Sequence, residues 1–335
     1  MIKGQFNKDR FFGVEIEFLR PSHLTHRDIA LFLRNAEVNC KASHYTHNTT
    51  PHWKLLGDVS VKSNGLRNFS GNNELVSPKL KGIEGLNELM KVCKVLEEIG
   101  CKVNATCGLH VHQDVSHIVA TDKNAKRFLK NLIVWVSKFE HIIYKLISPS
   151  RLKTGYSRPI RSTILESHSL SIGTEINEND FKRLANKTVK TLVKKTEYSV
   201  TAKRGNRRLQ RNRYSGLNLY KVWERGSVEF RYHQGTINFD KIANWIVLTQ
   251  AIINVVETKS YVSLKYVSKG LKGLSQLRTA LGFCESNKDD TTKNANKFFI
   301  KRFRGFEKRN REYLGLSEYF LVADGLYKTN NNREA

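Results

Sequence analysis

The chain has 335 residues, 39% hydrophobic and 10% aromatic, enough for one large core or two modest ones. No apolar run approaches the length of a membrane span, and Met1-Ile2-Lys3-Gly4-Gln5 lacks the apolar stretch of a signal peptide, so a cytoplasmic protein without a membrane partner is expected. The formal charge of +26 implies an anionic partner, nucleic acid most often, or a phosphorylated or polyacidic substrate. Lys and Asn are abundant throughout, as an AT-rich coding sequence would give, so charge says what the surface attracts and not what a site does. The cysteines (Cys40, Cys93, Cys101, Cys107 and Cys284) form an odd set without a CxxC pair, consistent with reduced thiols.

In chain order, Gly13-Val14-Glu15-Ile16-Glu17-Phe18 alternates with the period of a half-buried strand. Phe12, Val14, Ile16 and Phe18 take one face. Glu15 and Glu17 share the other, about 7 Å apart at ~3.3 Å rise per residue. At an effective dielectric near 20 they repel by roughly 2 kcal/mol, which a cation between them would relieve. Residues 20–52 are harder to read: Asp28 to Arg34 suggests a short helix, and Ala42 to His52 a loop. Their histidines, His23, His26, His44, His47 and His52, lack metal-ligand spacing and read as surface residues.

Trp53-Lys54-Leu55-Leu56 is a short strand, and Gly57-Asp58-Val59-Ser60-Val61 alternates again. Turn-rich sequence leads to Glu74-Leu75-Val76-Ser77, ended by Pro78. Ile83, Leu86, Leu89, Met90, Cys93, Leu96 and Ile99 recur at helical spacing over 82–99, with Gly100 just past the end. Cys107-Gly-Leu-His-Val-His112 returns to strand. A longer helix from Asp122, as N-cap, to Ile147 carries Phe128, Leu129, Leu132, Val136, Phe139, Ile143 and Leu146. From Ser150 to Arg213 apolar residues thin out and cations cluster, Arg204, Arg207, Arg208 and Arg211 among them. Tyr214–Tyr220 and Val228–His233 then read as a β-hairpin turning at Glu224–Ser227, before a helix capped near Asn238 or Asp240 and running to Val256. Short basic pieces follow, and the polar stretch from Thr329 to Ala335 reads as disordered. Strands and helices in this order suggest α+β layers.

Three further strands place polar side chains on one face. Glu74 precedes Leu75-Val76; His110 and His112 flank Val111; Glu229, Arg231 and His233 oppose Val228, Phe230 and Tyr232. Singly, each has a bland reading: a solvated acid, a satisfied His pair, a local ion pair. Together they suit a site of Glu oxygens with one or two imidazoles, hence Mg²⁺ or Mn²⁺. Zinc at Cys107, His110 and His112 lacks an evident fourth ligand, and Cys107 reads as a small core residue. Neither a Walker phosphate loop nor a dinucleotide fingerprint occurs, so an ATP site would be built from metal and strand side chains, with Lys54 and Arg231 supplying positive charge.

Gly13-Val-Glu-Ile-Glu17, Trp53 with Asp58-x-Ser60, Glu74-Leu-Val-Ser-Pro78, Cys107-Gly-Leu-His-Val-His112 and Val228-Glu-Phe-Arg231 occur in this order. The set resembles the amidoligase family of the glutamine synthetase-like carboxylate–amine ligase superfamily, over about Phe12 to Val256. The resemblance implies a curved, mostly antiparallel sheet forming a funnel with helices outside. It implies Mg²⁺ or Mn²⁺ held by Glu15, Glu17, Glu74, His110 and Glu229, with ATP contacted by Lys54, Arg231 and Asn218. Arg231 would stabilise the transferring phosphoryl group, Asp58 and Ser60 would orient or deprotonate the amine, and His112 and Trp53 would sit near substrate. The family more often has glycine between Asp58 and Ser60, where this chain has Val59. The implied domains are 1–256, a catalytic domain with a basic insert at about 165–212, and 257–335, a basic extension. The expected activity is an ATP-dependent ligase joining a carboxylate to an amine through an acyl phosphate, its substrates an amino acid, a peptide or a modified polymer. The alternatives are a nucleic-acid-binding protein acting through the insert by phosphate contacts, with Phe181 and Tyr198 its few aromatics, and a metal-dependent hydrolase.

Overall fold

The structure is a computed structural model and describes residues 5–44, 49–153, 155–171, 174, 176–194, 214–220, 222–264, 267–284 and 288–310. Arg204, Arg207, Arg208 and Arg211, Tyr198, His47 and the stretch from Thr329 to Ala335 lie outside the described residues.

The alternating N-terminal sequence folds as strand β1, Phe11–Glu17. Phe12, Val14 and Ile16 are 3%, 1% and 0% exposed, so the apolar set buries one face as its period requires. The remaining strands are β2 (Arg20–Pro21), β3 (Cys40–Ala42), β4 (Trp53–Leu56), β5 (Phe69–Ser70), β6 (Glu74–Val76), β7 (Leu80–Lys81), β8 (Gly108–Asp114), β9 (Leu217–Asn218) and β10 (Ser227–Gln234). β1 pairs antiparallel with β6, β7 and β8, and β4 antiparallel with β6, while β3 runs parallel to β4, which makes the sheet mixed. The strand order is β3-β4-β6-β1-β8-β10-β9; β2 and β5 form a separate antiparallel pair. β3, β5 and β7 fall where the sequence carries no alternation long enough to announce them.

Helix α1, His26–Asn35, starts at Thr25, whose hydroxyl accepts from the Asp28 amide while the Asp28 carboxylate accepts from the Thr25 amide in return. Helix α2 spans Gly82–Glu98, and Gly100 at φ +78° takes the left-handed position expected past its end. Helix α3 spans Asp122–Tyr144, with Thr121 and not Asp122 as its cap. It stops short of Ile147 because the amides of Lys145, Leu146 and Ile147 bond to carbonyls three residues back, a tighter turn that leaves the α ladder. Helices α4 (Ser150–Lys153), α5 (Ile160–Ser167), α6 (Glu178–Lys194), α7 (Val222–Arg225), α8 (Phe239–Glu257), α9 (Gly270–Leu281) and α10 (Asp290–Asn310) follow. β9 and β10 are sheet neighbours as the hairpin reading expects, but α7 replaces the simple turn between them. No described helix is long and apolar enough to cross a membrane.

The described chain divides into two units. The first holds Phe6–Asp114 and Phe230–Gln250: β1 to β8, the end of β10, α1, α2 and the start of α8. Its core is the apolar sheet face, where Trp53, Leu55, Leu75, Ile16, Leu109 and Val111 are all 0% exposed. The second holds Val115–Glu229 and the chain from Ala251. There α3 buries its apolar stripe, α6 buries Phe181, Leu184, Ala185 and Val189, and α10 buries Phe299 and Phe303. The buried Glu140 accepts the Ile160 amide at 2.7 Å, joining α3 to α5. The Arg302 guanidinium, pushed down to about 10 by burial, donates to the Leu146 carbonyl. Phe181 is a core residue of this unit and offers no stacking face.

Candidate functional site

Residues directly opposite in antiparallel strands project to the same face. In the first unit β1 and β6 pair Glu15 with Val76 and Glu17 with Glu74; β4 and β6 pair Lys54 with Val76 and Leu56 with Glu74; β1 and β8 pair Glu15 with His110 and Gly13 with His112. Two cross-strand rows result, Lys54–Val76–Glu15–His110 and Leu56–Glu74–Glu17. Both lie on the face opposite the Trp53–Leu55–Leu75–Ile16 core. Alternation in four separate short strands therefore collects acids, imidazoles and a lysine on one surface.

The side chains meet there. His110 Nδ1 lies 2.9 Å from Glu15 Oε2, and His112 Nε2 lies 3.1 Å from Glu15 Oε1. His110 Nε2 lies 3.5 Å from Glu17 Oε1, and Glu17 Oε2 accepts the Gly108 amide at 2.5 Å. Arg231, on β10, places Nη1 3.5 Å from His110 Nδ1. Ligand atoms of Glu15, Glu74 and His110 lie within 4.8 Å of one another, as do those of Glu17, Asp58 and Glu74. Burial, followed by the charges of Glu15, Glu17 and Asp58, pushes the Glu74 carboxyl well above the ordinary carboxylate range, with Arg231 pulling the other way. Burial would raise Glu15 too, but the His112 charge and hydrogen bonds from both histidines outweigh it and hold Glu15 well below that range. Neighbouring acids with opposed shifts mark a site that concentrates negative charge beyond what its histidines neutralise.

Asp58 reaches the cluster from a turn and not from the strand the alternation suggests. Its Oδ1 accepts the Ser60 amide at 2.7 Å, and Val59 at the tip is 77% exposed. Val59 does not adopt positive φ, so the turn does not require glycine at this position. The loop is anchored behind: the Asn72 amide donates to the Val61 carbonyl at 2.9 Å, and Asn104 Nδ2 donates to the Lys62 carbonyl at 2.7 Å.

Trp53 is not brought to this face. It is fully buried on the opposite side of β4, its indole donating to Glu88 of α2 at 2.6 Å, so it fastens a helix behind the sheet. Cys107 is 0% exposed and packs with Leu19 and Val61, a core residue as expected. Glu229 belongs to the second unit, where Asn218 Nδ2 donates to its Oε2 at 2.5 Å; strand periodicity puts Glu229 on the same face of β10 as Arg231. Two supporting residues escape sequence reading. Asn73 looks like one more turn residue, and His26 like a surface histidine, yet His26 Nε2 lies 2.8 Å from Asn73 Oδ1.

A family model described as "Putative amidoligase enzyme" matches residues 8–253, most of the chain and every strand of the cluster. The chain belongs to this amidoligase family. No curated protein matches it. Among solved structures the amidoligase is similar to the complex between the prokaryotic ubiquitin-like protein Pup and its ligase PafA, at 12% identity and a TM-score of 0.31. That match covers 93% of the amidoligase and 66% of the other chain, so the amidoligase spans just under two thirds of that protein's length. Family membership supports an amide-bond-forming carboxylate–amine ligase.

Proposed function

We propose that this protein is an ATP- and Mg²⁺-dependent ligase that phosphorylates a carboxylate and joins it to an amine. The observation that carries the reading is the convergence of Glu15, Glu17, Asp58, Glu74 and His110 on one sheet face, their ligand atoms in two sets each within 4.8 Å. The donor set fits the ion: oxygen-rich, with one imidazole and no thiolate, and with more carboxylate than its own histidines balance. Donors about 2.1 Å from an ion stand up to about 4.2 Å apart, so small side-chain shifts would close either set. Glu15, Glu17, Glu74 and His110 would hold the ions, joined by Glu229 from the same face of β10. Bound there, Mg²⁺ would neutralise the nucleotide phosphates and the charge that develops in phosphoryl transfer.

The chain's own residues do the rest. Arg231 and Lys54 supply positive charge beside the phosphates, and Asn218 orients the nucleotide and Glu229. A substrate carboxylate oxygen attacks the γ-phosphorus, the bond to the β-phosphate breaks, and ADP leaves with its electron pair. The acyl phosphate is then electrophilic at carbon; an amine attacks, phosphate departs, and the amine's proton passes to Asp58. Ser60 holds Asp58 through its amide, and His112 keeps Glu15 ionised. The catalytic domain is 1–256, with 257–335 as its extension.

The test is a thermal-shift comparison of ATP with MgCl₂ against each alone, followed by ADP release with amino-acid and peptide carboxylate–amine pairs. Stabilisation only by the pair, and its loss in Glu17→Gln and Glu229→Gln, is expected. Equal turnover in wild type and both variants overturns the assignment.

One observation favours a second reading, nucleic-acid binding. Lys293, Lys297, Lys301 and Arg304 form an exposed row on α10 at steps of four, four and three residues, or rises of about 6, 6 and 4.5 Å along the axis. If the row binds phosphates, neutralising Lys297, Lys301 and Arg304 lowers the salt slope of oligonucleotide binding by about 0.7 to 0.9 per lost contact; an unchanged slope removes the reading.

A further inference from the structure

We infer that Asn73, locked by His26, is the positioning residue that holds the Glu17–Glu74 pair at cation-binding separation. The inference rests on the metal-dependent reading above. Glu17 and Glu74 are directly opposite at the last register pair of β1 and β6, the place where an antiparallel ladder frays first. Their charges also oppose closeness, since Glu17, after Glu15, is among the charges that drive the Glu74 carboxyl up. Something beyond the ladder must keep the strands together there.

Asn73 does so with every polar atom of its side chain. Its backbone carbonyl accepts the Phe18 amide at 3.2 Å, the step just past Glu17. Its Nδ2 donates back to the Phe18 carbonyl at 3.1 Å, supplying from a side chain the second bond that closes this step. The same Nδ2 donates to the Ser70 carbonyl at 2.8 Å, tying in the loop that leads to β6. Oδ1 faces His26 Nε2 at 2.8 Å, so the imidazole donates and fixes which way the amide points. Asn73 is 0% exposed, and these bonds satisfy both amide hydrogens and the oxygen. His26 stands in the first turn of α1, and the α1 N-terminus is fastened by the reciprocal Thr25–Asp28 cap. The chain α1–His26–Asn73 thus sets the strand ends that carry Glu17 and Glu74, without touching the carboxylates. Outer residues of this kind shift metal affinity by about 10- to 100-fold when lost.

The experiment titrates Mn²⁺ into metal-free, full-length protein by calorimetry, with wild type, Asn73→Ala, His26→Ala, His26→Gln and Glu17→Gln compared, and each variant's unfolding transition recorded in EDTA. Wild type binds and Glu17→Gln does not if the metal reading holds; failure of wild type to bind sinks that reading and this inference with it. With wild-type binding intact, Asn73→Ala and His26→Ala are expected to bind at least 10-fold more weakly while still folded. His26→Gln, which keeps a donor for Asn73 Oδ1, is expected to recover most of the affinity. A lowered unfolding temperature with unchanged Mn²⁺ affinity in the folded variants overturns the inference, and so does a His26→Gln variant no better than His26→Ala. If Asn73→Ala does not fold, the His26 pair decides alone.

Discussion

Glu74→Gln should make the metal-free protein more stable at neutral pH, although it removes a group at the centre of the site. Ligand atoms of Glu17, Asp58 and Glu74 lie within 4.8 Å of one another. At an effective dielectric near 20, a carboxylate pair at that separation repels by about 3 kcal/mol. Glutamine keeps the shape and discards the charge. The pH dependence carries the sign. The folded Glu74 carboxyl titrates well above its ordinary value of 4.5, so the unfolded chain releases that proton first as pH rises. The stability this group contributes is complete below pH 4.5 and falls away towards the folded value, by up to about 1.4 kcal/mol per pH unit. Urea unfolding in EDTA at pH 5 and pH 8 measures it. Wild type and Glu74→Gln should differ little at pH 5 and by about 2 kcal/mol in favour of the variant at pH 8. Adding MgCl₂ should restore wild type and leave the variant unmoved. A variant no more stable than wild type at pH 8, or two parallel pH slopes, refutes the account of a site strained by its own charge. Glu15 runs the other way: its folded carboxyl sits below the ordinary value, so its contribution holds above that value and is lost as pH falls through the folded one.

Two further outcomes follow from groups that carry the sheet. Trp53→Phe removes the indole donor to Glu88 at 2.6 Å and should cost about 1–2 kcal/mol in urea unfolding while leaving ligase kcat unchanged; a collapse of kcat at unchanged stability would move Trp53 to the substrate. At Gly235 a Cβ would stand 2.3 Å from the Cys107 Cβ and 2.9 Å from its backbone carbon, so Gly235→Ala should lower stability by about 1–3 kcal/mol, and an unaltered unfolding midpoint would show that the approach can open without cost.

The polar faces were legible before any coordinates. Period-2 alternation states which side chains of β1, β8 and β10 travel together, and the buried residues Phe12, Val14, Ile16, Leu109, Val111, Val228, Phe230 and Tyr232 bear that out. Helix spans were legible for the same reason, because a 3.6-residue stripe is a local property; α2 lies within a residue or two of its stripe. Local chemistry misled only at ends and turns, where Thr121 takes the cap from Asp122 and Asp58 sits in an Asx turn.

What only the tertiary structure decided is which strands lie side by side and in what register. Setting Glu17 opposite Glu74, 57 positions further along the chain, depends on contacts whose reward comes after a long loop has closed, and no window of sequence holds that information. Asn73 shows the same limit from the other side. As a residue type it belongs in a turn, and its role comes from the Phe18 carbonyl and the His26 ring, groups 55 and 47 residues away. The composition of the site is therefore a property of the sequence, while its closeness, its opposed carboxyl titrations and its anchoring are properties of the fold.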